Sequence, residues 1–390
     1  MKKFDVVIVG AGIPGSSLAI ALSQLGLKIA LIDRQPLLET ISDDYGLRVS
    51  AINEASQKWL EQIDVWKDIV ASRVSPYKKM HVWNQKGEVN FTNTEIKKQQ
   101  LGFIIENQVI LLALANKIRA TSNIDFLKIA PSRIQTYKNE NILLFDDHDP
   151  IEASLIVGAD GANSWVGKEL AIEKAVKDYG HIAIVATIKT EKPHEFSAWQ
   201  RFTKTGPIAF LPLPDKHHAS IVFSQDKEKA EQLLSMNRED FCEELASMFE
   251  HRLGSLELAS DRKFFPLIMR HAKNYYGPRI AMVADAIHTI HPLAGLGLNL
   301  GLRDVVCLYD LIKQAHEKHQ DIASDALLKK YQRLRRTENL ALIAAMRGFK
   351  ELFNNDNAVL DWLRNTGFSF VDRSSVLKGL FIKSAEVFSD

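Results

Sequence analysis

An acid, spaced glycines and an asparagine stand together in Arg279 to Ile312, RIAMVADAIHTIHPLAGLGLNLGLRDVVCLYDLI. Asp285 follows the apolar run Ile280 to Val283, and Gly295-Leu296-Gly297-Leu298-Asn299 opens a stretch with helical apolar periodicity. Glycines let a backbone approach a ligand closely, and the free N–H groups and positive dipole end of a helix favour negative charge. The arrangement suits an anion or cofactor cradle. A second set lies at the amino terminus, where FDVVIV (Phe4 to Val9) runs into Gly10-Ala11-Gly12-Ile13-Pro14-Gly15. SSLAIALSQLGLK continues it as a helix closed by Gly26, and the next apolar run, Ile29 to Ile32, ends at Asp33 with Arg34 beyond it. Gly10 suits a tight turn, Gly12 the approach of a pyrophosphate and Gly15 the packing of helix on strand, while an acid about 20 residues on suits a ribose hydroxyl. Pro14 is tolerated because a first helical turn offers its missing N–H no acceptor.

A third motif, Asp160-Gly161, ends the apolar run Leu155 to Val157 and is followed by small polar residues. Both Asp160 and Asp285 stand at strand ends, where ligands of open α/β sheets collect; each could equally cap a helix.

These motifs must be carried by parallel strands and helices, so the chain reads as α/β: a Rossmann-like domain with a parallel sheet, an inserted antiparallel-sheet domain and C-terminal helices. The nucleotide-binding elements fall at 1–75, 101–180 and 267–345. The segments 76–100 and 181–266 form the substrate domain, and 346–390 is a helical tail. IAIVATIKT, IAFLPLP and ASIVFSQ read as strands of the insert, and the charged stretch from Asp226 as helix with a solvated face. The formal charge of +1 and scattered basic residues give no reason to expect nucleic acid. Two distant cysteines, Cys242 and Cys307, point to buried free thiols in a reducing cytosol. No leader and no run of about 18 apolar residues is visible, so any membrane contact should be peripheral.

With these three motifs, the chain resembles the para-hydroxybenzoate hydroxylase-like flavin monooxygenases, and most closely the ubiquinone-biosynthesis hydroxylases. GLRVSAIN (46–53), LGFIIENQVI (101–110), AWQRF (198–202), GPIAFLPLP (206–214), YQRLRRTEN (331–339) and LRNTGFSFVD (363–372) extend the likeness over nearly the whole chain. HPLAGLGLNLGLRD is its most family-specific string. The resemblance implies FAD as cofactor, NAD(P)H as electron donor, oxygen as co-substrate and a polyprenylated phenol as substrate. It further implies a cytoplasmic location, with contact at the inner membrane face or in a ubiquinone-biosynthesis complex. Two alternatives are a flavoprotein of the same fold with other redox chemistry, and a non-catalytic FAD-binding scaffold subunit.

By the same resemblance, Gly10 to Asp33, with Arg34 beside them, hold the adenosine half of FAD, Arg48 touches the cofactor, and Asn107, with Glu106 and Gln108 as rivals, lies near it. An ion pair with Asp43 or Asp44 is the other reading of Arg48. Asp160 belongs to a motif linked to FAD and the nicotinamide donor, Asp285 bonds the ribityl or ribose chain, and Gly295 to Asn299 approach the flavin. Leu211, Leu213 and Pro292 line the substrate pocket. Three residues depart from the family pattern: Ala284 replaces the usual Gly, Ile287 a small residue and Leu296 a Gln. His288 and His291 are three apart on a glycine-rich turn without a matching set of acids or thiols, which is a poor metal site, and no metal is expected.

Overall fold

The computed structural model describes residues 1–85, 87–289 and 296–354. Five strands run parallel in the spatial order Ile280–Met282, Ile151–Gly158, Lys2–Val9, Ile29–Asp33, Ile124–Lys128. Their continuous apolar sequences follow from burial on both faces: Val6, Val7, Ile8, Leu155, Ile156 and Val157 have no exposed surface. The helix after the first strand, Ile13–Ser23, is apolar all round, and all its residues but Pro14 are buried. It packs between helices Asn107–Arg119 and Leu296–Glu317. Gly26 takes the left-handed conformation (φ +82°) that turns the chain back into the next strand.

A small sheet of Val49–Ile52, Gly102–Glu106 and Val74–Tyr77 leans on this domain. The second large sheet contains Lys174–Thr190, Ser197–Phe202, Pro207–Pro212, His218–Asp226 and Lys263–Ala272 among its strands. Lys79–Trp83 and Glu88–Thr92 join its edge, as expected of 76–100. The boundaries expected at 180/181 and 266/267 fall inside Lys174–Thr190 and Lys263–Ala272, two long paired strands that cross between the domains without a linker. Helix Asp325–Asn354 likewise runs through the boundary at 345/346, and 355–390 lie outside the described residues.

The charged stretch from Asp226 forms two helices, Lys227–Ser235 and Arg238–Met248. A solvated face is only half of their structure. Ala230, Leu233, Phe241, Cys242 and Leu245 are buried with Ile184, Phe210, Ile221 and Phe223 in a second core, because the inner face of an antiparallel sheet needs a cover. The opposite face of that sheet is left for the site.

Candidate cofactor and substrate site

The parallel pairing brings the three motifs to one edge. Ala159 donates its N–H to the Val9 carbonyl (2.8 Å), and Val283 donates to the Gly158 carbonyl (3.0 Å). Gly10 adopts φ +108°, and a Cβ there would collide with the Ala159 carbonyl, while one at Gly15 would collide with the Gly10 carbonyl. Both glycines are therefore demanded by packing of the first turn on the Asp160-Gly161 segment. Gly12 differs: a Cβ there would meet only Pro14 Cδ, at 3.9 Å, so this face of the loop is open. The Ile13 side chain is buried in the core, so only its backbone, in a first turn whose N–H groups lack helical acceptors, can face a ligand. Asp33 accepts from Ala11 N–H (2.7 Å) and Gln35 N–H (2.9 Å), tying the loop to the second strand. Each carboxylate oxygen keeps a lone pair for ribose hydroxyls. Arg34 beside it is exposed.

Asp160 plays the capping role and retains a second capacity. Its Oδ2 accepts from Trp165 and Val166 N–H at 2.7 and 3.1 Å, whereas its Oδ1 is buried with no hydrogen-bond partner among the described residues. A buried orphan acceptor is costly and is explained by a ligand donor. Asp285 is the central residue of a short 3-10 turn, Ala284–Ala286. Its side chain is accessible yet hemmed in by protein. That recess pushes its carboxyl above the usual carboxylate range, against the opposing pull of His288, Arg48 and Lys174. Lys174 answers it: burial lowers its ammonium pKa, Asp160 and Asp285 oppose the shift, and its Nζ donates to the Ala162 carbonyl at 3.1 Å.

Arg48 does not pair with Asp43 or Asp44. Arg73 reaches their carbonyls instead (2.6 and 3.4 Å), held by buried Glu106, while the Arg48 guanidinium lies 4.9 Å from the Phe265 ring centroid on the second sheet. Asn107 stands beside it: its N–H donates to the Arg48 carbonyl (2.9 Å) and its Oδ1 accepts from Ser50 Oγ (2.7 Å). Of its rivals, Glu106 is committed to Arg73, Gly46 N–H and Gln108.

At the start of helix Leu296–Glu317, a Cβ on Gly297 would meet nothing within 4 Å, a second open cradle. Leu298 packs against the core. Asn299 turns away from this opening. Its Oδ1 accepts from Ser56 Oγ (2.8 Å) and Asn53 N–H (3.2 Å), and its Nδ2 donates to the Ala51 carbonyl (2.6 Å), so it ties the helix to the chain behind it. Pro292, Gly295 and His291 lie outside the described residues, as does the Leu296 side chain.

The wall across the opening comes from the second sheet. In Pro207–Pro212, Ile208, Phe210 and Pro212 are buried on the core side, leaving Ala209 and Leu211 on the other. Register continues that face through Val222, Val185 and Ala183 to Phe265, the ring under Arg48. These six residues are apolar; Ser220, Ser224 and, opposite Val185, the exposed Lys263 share their face. Leu213 is buried, 1 % exposed, and underlies the wall rather than lining an opening. His194 fixes this turn, its Nε2–H donating to the Leu213 and Asp215 carbonyls at 3.1 and 3.0 Å while Nδ1 accepts Phe196 N–H.

Sequence reading missed Asp304, Arg335, Lys174 and Phe265. Asp304 had a signal: it occupies a helical position in register with the apolar Leu300, Leu308 and Leu311, where a charge needs a partner. Among the described residues no cluster of His, Cys, Asp or Glu could hold a metal, and His288 is committed to Asp304 at 2.6 Å. Both cysteines are free; Cys242 is buried and Cys307 half-buried, its thiol pushed up to about 12 by burial.

A dinucleotide fits this surface: two glycines open toward it, an orphan acid faces it and the accessible Asp285 carboxylate stands beside them. Residues 3–345 match the family model described as FAD binding domain. The chain is 35 % identical over 386 residues to 3-demethoxyubiquinol 3-hydroxylase of Escherichia coli (strain K12), covering 98 % of each. It is 32 % identical to ubiquinone hydroxylase UbiL of Rhodospirillum rubrum (98 % of this chain, 90 % of that one) and 30 % identical to the mitochondrial ubiquinone biosynthesis monooxygenase COQ6 of Homo sapiens (96 % and 91 %). The fold is that of p-nitrophenol 4-monooxygenase PnpA from Pseudomonas putida DLL-E4, with a TM-score of 0.81 at 15 % identity over 99 % of this chain and 98 % of that one.

Proposed function

This chain belongs to the family of FAD-dependent hydroxylases of ubiquinone biosynthesis, and from that premise we propose that its substrate is a neutral polyprenylated phenol that gains one ring oxygen. It is an FAD-dependent monooxygenase. The observation that carries the substrate reading is the apolar patch Leu211, Ala209, Val222, Val185, Ala183 and Phe265, whose Phe265 ring lies against Arg48.

Bound FAD supplies the redox and oxygen chemistry, accepting reducing equivalents from NAD(P)H. The chain's residues do the rest. In this proposal the Gly12 face and the first-turn N–H groups hold the pyrophosphate, Asp33 the adenosine ribose and Asp285 a hydroxyl of the chain joining the phosphates to the flavin ring. The backbone at Gly297 and the dipole of helix Leu296–Glu317 present positive charge where a reduced ring becomes negative. Arg48, stacked on Phe265, positions the ring against the wall, which excludes water.

An anionic aromatic acid would need a paired arginine, since burying a carboxylate without a partner is costly. Arg201, on strand Ser197–Phe202, is not that partner. It pairs with Glu250 (2.7 Å) and the Met248 carbonyl on the core side of the sheet. Among the described residues no helix is long and apolar enough to cross a membrane. We therefore propose that the prenylated substrate is met at a cytoplasmic membrane face or handed over by partner enzymes of the pathway. The test is turnover with NADPH and labelled oxygen gas, read by mass spectrometry. A prenylphenol should carry one labelled atom and para-hydroxybenzoate none; the reverse would overturn the reading. A purified protein that is yellow yet transfers no oxygen to any phenol would favour the scaffold alternative, for which Ala284 and Leu296 are the motivating departures.

A further inference from the structure

Behind the Asp285 turn, away from the open surface, lies a charge that neither the cofactor nor the substrate reading uses. Asp304, on helix Leu296–Glu317, has no exposed surface. Its Oδ2 accepts from Ala284 N–H (3.0 Å) and His288 Nε2–H (2.6 Å), and its Oδ1 accepts from Arg335 Nε (2.8 Å) with Asn339 Nδ2 at 3.5 Å. Burial alone would raise its pKa, but His288 and Arg335 outweigh burial and hold the carboxyl below its usual range. Arg335 is itself 3 % exposed and reaches Asn339 (3.1 Å) and Glu338. Asn339 continues the chain to Tyr275 OH (3.2 Å), which meets His271 Nε2 at 2.7 Å.

The Ala284 N–H is the link that matters. Ala284 is held at φ +56°, a conformation disfavoured for a residue with a Cβ, and that turn aims Asp285 into the recess. Its amide is fixed by an ionised carboxylate, and the carboxylate stays ionised in the interior because His288 and a guanidinium from another helix lie against it.

We propose that Asp304 and Arg335 are positioning residues for the cofactor-contacting Asp285 turn, so that helix Asp325–Asn354 sets cofactor affinity without touching the cofactor. This inference rests on the reading that Asp285 contacts FAD.

Four proteins test it: wild type, Asp285→Ala, Asp304→Asn and Arg335→Lys. For each, the FAD dissociation constant is measured by flavin fluorescence titration and the melting of the apoprotein by circular dichroism. Asn at 304 is isosteric, but its NH2 must face either Ala284 and His288 or Arg335 and Asn339, so the Ala284 amide loses either its acceptor or the guanidinium that steadies that acceptor. Expected is FAD binding roughly ten-fold weaker or more for Asp304→Asn, with a smaller loss in the same direction for Arg335→Lys, which keeps the charge but not the fork. A purely structural role would lower the apoprotein melting temperature and leave the dissociation constant within two-fold of wild type; that result overturns the proposal. If Asp304→Asn does not fold, Arg335→Lys decides by the same criterion. Unchanged affinity in Asp285→Ala would sink the underlying site assignment instead, a distinguishable failure.

Discussion

A second consequence of the strained turn concerns Gly301. A Cβ there would lie 2.7 Å from the Ala284 Cβ, with the Ala284 Cα at 3.4 Å and Pro14 Cγ at 3.8 Å. Both positions are buried, so the two methyls cannot coexist without a shift of helix Leu296–Glu317 or of the turn. Gly301→Ala alone combines overpacking of about 1–3 kcal/mol with a helix-propensity gain of about 1 kcal/mol, so it should be neutral to destabilising by about 2 kcal/mol. Ala284→Gly alone relieves about 1–2 kcal/mol of left-handed strain against about 0.4–1 kcal/mol of extra unfolded-state entropy, so it should be neutral to mildly stabilising. Together the clash is gone and both gains remain. The double mutant should exceed the sum of the singles by about 1–3 kcal/mol. Over 390 residues the unfolding entropy converts each kcal/mol into about 1 °C, so calorimetry of the four apoproteins resolves it. Additivity within about 0.5 kcal/mol would refute the steric reasoning.

Gly12→Val should abolish FAD retention, because the side chain would occupy the open face of the first loop at Gly12; copurification with full flavin would show that Gly10 to Gly15 do not hold the cofactor. Asp285→Ala should weaken FAD binding by about 1–3 kcal/mol, the cost of leaving hydroxyl partners unmade, as isothermal titration would show. His271 is pushed down to about 4, chiefly by burial with His288 adding to the shift. Its unfolded form takes up a proton near pH 6.5 while the folded form resists until about 4, so this contribution is present above pH 6.5 and is lost as pH falls through that window. It should amount to about 2–3 kcal/mol, and stability curves measured from pH 7 to 4 should be flatter in His271→Gln; an unchanged slope would contradict the assignment.

The parallel sheet and its glycine loop were legible in sequence because each requirement there is local. A strand buried on both faces must be an unbroken apolar run, and a turn at φ +108° against a carbonyl must be glycine. Arg48 and Asn107 were found only through family likeness, since nothing within GLRVSAIN or IENQVI reveals that one lies over Phe265 and the other fixes its carbonyl. Asn299 shows the limit from the other side. Its neighbour Gly297 is open to a ligand, yet its own side chain faces backward to Ser56, 243 residues earlier, a direction that spacing along a helix does not specify until the packing partner is known.

The same limit explains why Ala284 could be noticed as a departure and not understood. In sequence it is one methyl more than the family's glycine, which suggests crowding of the cofactor. In the fold that methyl points instead at the place where a Gly301 side chain would be, and the glycine in the helix absorbs it. The left-handed strain that remains is then held by a hydrogen bond to Asp304, whose own burial is made tolerable by Arg335. Three residues on two other helices, Gly301, Asp304 and Arg335, thus decide the consequence of one substitution. Its effect on cofactor binding depends on whether the Ala284 amide keeps its acceptor more than on the added volume.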